Sequence, residues 1–240
     1  MPSLSHGRMA ALLLLLFLVL ANVSYGGLVS LFGYDDVLRE PVAIVLTRLH
    51  EAGPRLVWAW AGFAWSAVVF LIAAPVIAAA LEKEHGQDVS IFTWSGVASG
   101  LVQAIGLLRW VFVIPPLAAA YVASGPGSAA RTAAEQVYLM LNQYGGVALG
   151  EHLGQTLLVI WTSGILLASW KAGRWLRLST APGLISLPLW VLAQTELFAT
   201  VIPGLHIVEA APYAFMIWMV WLLALGAALA IGKPSAERGL

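Results

Sequence analysis

Glu151 and His152 stand side by side near the start of an apolar segment, framed by Gly146, Gly150 and Gly154. A carboxylate beside an imidazole can ligate a metal, relay a proton or support a haem. Ionisable groups are costly inside a bilayer, so they face the interior of a helix bundle and mark function. Glycine at every fourth position gives a flat helix face on which a second helix can pack closely.

The remaining polar residues within apolar segments are Asn22, Gln103, Arg109, Gln155, Gln194 and Glu196. Arg109 keeps its proton at any accessible pH. It must pair with a carboxylate, reach carbonyls or snorkel toward the headgroups. Glu151 and Glu196 are the carboxylates at similar depth, so an Arg109–Glu151 or Arg109–Glu196 ion pair is expected. Glu151, His152 and Glu196 together form the candidate metal set. Oxygen and imidazole ligands would suit zinc, manganese or iron. There is no His-x-x-x-His spacing, and His6, His50 and His85 lie outside the apolar segments. A second axial haem ligand would have to be His206, in a loop, so haem is disfavoured. The bland alternative for His152 is a hydrogen bond to a neighbouring helix, with Gln155 three residues on.

These groups need a scaffold, and composition names it. Hydrophobic residues make up 60% of the 240-residue chain and charged residues 10%, against about 25% charged in soluble domains. Six apolar segments are each long enough to cross a hydrocarbon core of about 30 Å. They run over residues 9–31, 56–81, 91–121, 147–170, 182–202 and 213–231. The expected fold is all-α: a polytopic bundle of six transmembrane helices, forming one integral membrane domain over residues 1–240. Arg8 before the first segment resembles a signal-peptide start, but no Ala-x-Ala cleavage pattern follows.

The net charge is zero and there is no cysteine. Nucleic acid is therefore not an expected partner, and disulfide, thiolate and iron–sulfur chemistry are excluded. No Gly-x-Ser-x-Gly, Walker or dinucleotide-binding fingerprint occurs. The expected partners are the lipid bilayer itself and a second membrane protein or another copy of the chain.

Loop charges orient the bundle. One side carries seven basic residues, Arg8, Lys83, Lys171, Arg174, Arg177, Lys233 and Arg238, and the other four, Arg39, Arg48, Arg55 and Arg131. This predicts a multi-pass protein of the cell membrane with both termini cytoplasmic. Asn22, Arg109, Glu151, His152, Gln194 and Glu196 then all fall in the outer half. Reversing the topology moves the set together, so one polar site open to one side is more economical than several unrelated residues.

The outer loops contain helical stripes. Leu38, Val42, Val45 and Leu49 share a face. Asp35 or Asp36 is the expected cap, Pro41 suits the first turn, and Gly53-Pro54 ends the helix. A second short helix is expected from Ala129, with Ser128 as cap, to about Tyr144, stopped by Gly145-Gly146. Pro115-Pro116, Pro182 and Pro188 should kink their helices.

Leu107-Leu108-Arg109-Trp110-Val111-Phe112-Val113-Ile114-Pro115 and the stretch from Tyr144 to Gly154 together resemble a family of bacterial six-helix integral membrane proteins, classed as a domain of unknown function. The resemblance implies an inner-membrane bundle in which Arg109, Trp110, Pro115, Glu151 and His152 are the positions to watch. It implies no activity, substrate or cofactor. The residues leave three function classes open: binding or moving a small ligand or lipid at an outward-facing polar site, metal-dependent catalysis through Glu151, His152 and Glu196, and an accessory subunit whose polar groups lock helices together.

Overall fold

A computed structural model describes residues 4–34 and 36–231. Those residues are helical almost throughout, and six stretches are long and apolar enough to cross a membrane. The elements are α1 (His6–Phe32), α2 (Val42–His85), α3 (Ser90–Phe112), α4 (Ile114–Ala123), α5 (Ala129–Leu141), a π-helical segment (Asn142–Leu153), α6 (Gly154–Ala172), α7 (Arg174–Ala199) and α8 (Ala211–Ile231).

The spans close into a ring in sequence order. α1 packs on α2, α2 on α3, α3 on α6, α6 on α7 and α7 on α8, which returns to α1. The near face holds the start of α1, the α2–α3 turn, the α6–α7 link and the end of α8. The opposite ends form the far face. Large aromatics fill the interior of the ring, with Trp161, Trp218 and Trp221 almost wholly buried. Leu12, Leu15, Val19 and Val23 face outward, as expected where lipid is the solvent.

The sequence of events along α2 follows from local chemistry. Helical turns begin at Val42 after Pro41, and a short 3-10 turn (Asp36–Arg39) precedes them. The helix therefore starts later than a cap at Asp36 would place it, and Asp35 lies outside the described residues. Gly53 breaks the winding at φ 63° and ψ −153°, a conformation barred to residues with a Cβ. Gly53-Pro54 thus ends the first helical piece as expected. Val45, Leu46 and Leu49 bury against Trp110, Ile114 and Tyr121 in a second core at the far face.

One expectation about the helices is corrected. Gly145-Gly146 does not stop a helix: winding continues from Ala129 to Ala172, because both glycines keep negative φ. The helix that carries the fifth apolar segment begins at Arg174, ahead of Pro182. Gly173 alone, at φ 138°, turns the chain between α6 and α7. Arg177 lies along that turn and donates from Nε to the Trp170 carbonyl at 2.9 Å. The third span does break before its proline pair. Val113 separates α3 from α4, and Pro115 and Pro116 sit in the first turn of α4, where a missing N–H is harmless.

One buried carboxylate escaped the sequence reading. Glu84, near the end of α2, accepts a hydrogen bond from the Gly7 N–H at 3.0 Å and so caps the start of α1. Its partner lies 77 residues away, so no local pattern signals it. On the exposed turn nearby, Asp88 accepts from the Ser90 N–H at 2.8 Å. That bond holds the Asp88 carboxyl below the usual carboxylate range.

Candidate functional site

The three glycines that frame Glu151 and His152 each receive one residue of α3. A Cβ on Gly146 would overlap the Arg109 guanidinium. A Cβ on Gly154 would stand 2.7 Å from Gln103 Cγ. Between them Gly106 faces Gly150 across bare backbone: a Cβ on Gly106 would lie 2.8 Å from Gly150 Cα. The stripe is therefore a packing face, and its occupant is α3. Ser99, one turn before Gln103, secures the contact by donating to the Gly154 carbonyl at 2.8 Å. Gln103 Nε2 in turn donates to Ser99 Oγ at 2.8 Å.

Glu151 and His152 lie in the π-helical segment. Such winding is rare and recurs at functional sites. The segment is rich in glycine, which lets α3 approach where the wider helix would otherwise push it away.

Arg109 is buried, but not by an ion pair. Its Nη1 donates to the Gly106 carbonyl, and its Nη2 to Asn142 Oδ1 at 3.1 Å. The guanidinium also stands 5.2 Å from the Trp110 ring centroid, and Trp110 stacks on Trp60 at 4.7 Å. Among the described residues no carboxylate lies within 4.0 Å of Arg109. Glu151 feels its charge at longer range. The expected direct pair with Glu151 or Glu196 is thus replaced by a carbonyl and an amide. The physical reason is reach: Gly146 opens a slot that draws the guanidinium toward the start of the π segment, where Asn142 waits. Asn142 was not anticipated, and its place before the glycines is the only sequence signal for it.

His152 takes its bond from α7. Its Nδ1 and Gln194 Oε1 are 2.7 Å apart. Gln194 Nε2 donates to Gln155 Oε1 at 2.6 Å. The three form a chain tying the π segment and α6 to α7. Because an amide oxygen only accepts, His152 donates to it from Nδ1. The ring also meets Phe198 edge-on at 5.2 Å.

Glu196 turns elsewhere. It bonds Arg39 Nη2 at 3.3 Å, so a residue between α1 and α2 reaches α7 on the other side of the ring. Asn22 donates to the Leu18 carbonyl at 2.8 Å and contacts Met219 Sδ at 3.3 Å, apart from the other groups. His152, Gln155 and Gln194 are therefore brought into direct contact. Gln103 and Arg109 are held on the facing helix. Glu151 makes no hydrogen bond among the described residues, and Glu196 is engaged at the rim. Among the described residues no three His, Asp or Glu side chains are grouped to hold a metal ion; His152 is turned to Gln194 and Glu196 to Arg39.

Below the His152–Gln194–Gln155 chain lies a chamber of about 50 Å³ on the ring axis. All six spans line it, through Phe17, Phe70, Gln103, Leu158, Trp190 and Trp218. Gln155 precedes Leu158 by a turn, and Gln194 follows Trp190 by a turn. The polar chain thus sits about 5 Å nearer the far face than these walls. The site is amphipathic along its depth: a charged rim, a neutral polar collar and an aromatic floor.

The family described as a domain of unknown function (DUF4386) matches residues 9–226, and the chain belongs to it. No curated protein and no solved structure matches the chain. Together with its six apolar spans, this makes it a multi-pass membrane protein of that family.

Proposed function

We propose that this protein binds a small amphipathic ligand or lipid on the ring axis and moves it between the chamber and the far face. The observation that carries the reading is the axial chamber lined by all six spans and topped by the His152–Gln194–Gln155 chain. A bundle stabilised only by packing has no need of a cavity shared by every helix. Glu151, half-buried beside the collar, has no hydrogen-bond partner among the described residues, which leaves its carboxylate open to a ligand or to water.

At about 50 Å³ the chamber is far below the ~300–1,000 Å³ of a site for a drug-sized ligand. It admits the head of a molecule or a few waters. Binding of a whole ligand therefore requires the helices to part, and the Arg39–Glu196 bridge is the contact placed to resist this. The excess of lysine and arginine on the near side supports a far face directed outward from the cell membrane, with both termini cytoplasmic.

Photolabelling tests the reading. A fatty acid bearing a diazirine is incorporated into nanodiscs with the protein, and labelled residues are mapped by mass spectrometry. Axial binding predicts saturable labels on Phe215 or Trp218, which line the chamber. Labels confined to outward residues such as Leu12, Leu15 and Val19 would overturn it.

A further inference from the structure

The chamber walls restrict the chemistry of what they hold, and the restriction rests on the axial-site reading above. No ionisable side chain lines the chamber. A charged group drawn into it would lose hydration without gaining a counter-charge, which is strongly unfavourable.

The polar wall groups can be followed one by one. Ser66 Oγ donates to the Phe63 carbonyl of its own helix at 2.7 Å. Trp218 Nε1 donates to Thr162 Oγ1 at 3.0 Å. Gln103 spends one of its two amide hydrogens on Ser99; the other, and its Oε1, have no partner among the described residues. Trp190 is 5% exposed, and its Nε1 hydrogen is buried with no acceptor. Two donors, the Trp190 indole N–H and the second Gln103 amide hydrogen, and one acceptor, Gln103 Oε1, are left over on residues that line the same small space. A buried indole donor such as that of Trp190 is rarely left so, and the exception calls for a cause.

A hydroxyl answers both residues with a single atom, because it donates once and accepts as well. A ketone or ether would leave Gln103 Oε1 empty. An ammonium would leave Trp190 unanswered and a carboxylate would leave Gln103 Oε1 empty, each bringing a charge. We propose that the chamber takes the hydroxyl head of a neutral lipid alcohol, which accepts from Trp190 Nε1, donates to Gln103 Oε1 and packs its first carbons against Phe17, Phe70 and Trp218.

Three probes of equal chain length separate the possibilities: dodecan-1-ol, dodecylamine and dodecanoate, each titrated into the protein in nanodiscs. Empty nanodiscs give the non-saturable partition background. The alcohol should bind saturably at one site per chain, and the two ions should not. Gln103→Leu and Trp190→Phe should each weaken alcohol binding about 10-fold, because each strands one end of the hydroxyl. Saturable binding of either ion as tight as the alcohol would overturn the neutral-hydroxyl assignment while leaving the axial site intact. Absence of saturable binding by all three would overturn both, leaving a chamber that holds water only. The three probes on the unaltered protein decide the matter even if a variant fails to fold.

Discussion

Gly106→Ala places one methyl group where α3 meets the π segment, and its effect can be worked from distances. The added Cβ would stand 2.8 Å from Gly150 Cα and 2.9 Å from the Gly145 carbonyl oxygen. Both are backbone atoms, so no rotamer change relieves the overlap. An ordinary carbon contact needs about 3.5–4.0 Å, so the two segments must part by about 1 Å. The Ser99–Gly154 bond, at 2.8 Å, would then exceed the limit of about 3.5 Å beyond which it no longer counts as a hydrogen bond. Overpacking of this kind costs about 1–3 kcal/mol, and the stretched hydrogen bond adds about 1 kcal/mol. The expected loss is about 2–4 kcal/mol, measured by unfolding in a mild detergent with tryptophan fluorescence as the probe. Gly26→Ala is the control, since a Cβ there meets nothing within 4 Å. It should leave stability unchanged or raise it by up to about 1 kcal/mol, as alanine favours the helix. If Gly106→Ala unfolds within about 0.5 kcal/mol of the unaltered protein, the close approach of α3 to the Glu151–His152 segment is refuted.

Arg109→Leu should destabilise the bundle by about 3 kcal/mol, since it strands Asn142 and leaves Glu151 without its nearest positive charge. Adding Glu151→Gln should recover part of that loss, and a double-mutant cycle with no coupling would contradict the long-range interaction. Glu196→Gln should change stability by less than about 1 kcal/mol, because the Arg39 partner is half-exposed. It should nonetheless speed methanethiosulfonate labelling of a single cysteine at Gln155, in a chain that has no other; an unchanged rate would remove the bridge as a closing contact. Asp88 has a folded-state pKa below its unfolded one, so its cap on α3 is fully present above the ordinary value of about 3.9 and is lost as pH falls through the folded value. Carbon NMR titration should place its midpoint below that value, and Asp88→Asn should remove this component of the acid dependence; a midpoint at or above 3.9 would count against the cap.

The architecture was legible because a bilayer imposes it. A backbone in lipid must satisfy its own hydrogen bonds, so each long apolar run has to be a helix. Depth was legible for the same reason. A rise of about 1.5 Å per residue placed Arg109, Glu151, His152, Gln194 and Glu196 at one level before any packing was known. The packing role of Gly146, Gly150 and Gly154 followed from spacing alone.

Partner choice was not legible at this level. Arg109 had two carboxylates at the right depth, yet it bonds Asn142 and the Gly106 carbonyl. Depth is a one-dimensional coordinate, and partnership depends on rotation about the helix axis as well. The π winding from Asn142 to Leu153 changes that rotation, and helical periodicity in the sequence assumes α geometry. The same limit explains why Gly145-Gly146 read as a stop: glycine permits both a turn and a close contact, and only the presence of α3 selects the contact.

The sequence by itself determined six spans, their order and the depth of the polar groups, because hydrophobic length and the rise per residue are properties of the chain. The tertiary structure alone decided which polar groups meet. It joined His152 to Gln194 and Gln155, sent Glu196 to Arg39, and left Gln103 and Trp190 facing a shared chamber. Those contacts arise from ring closure and helix rotation, which depend on all six spans packing at once.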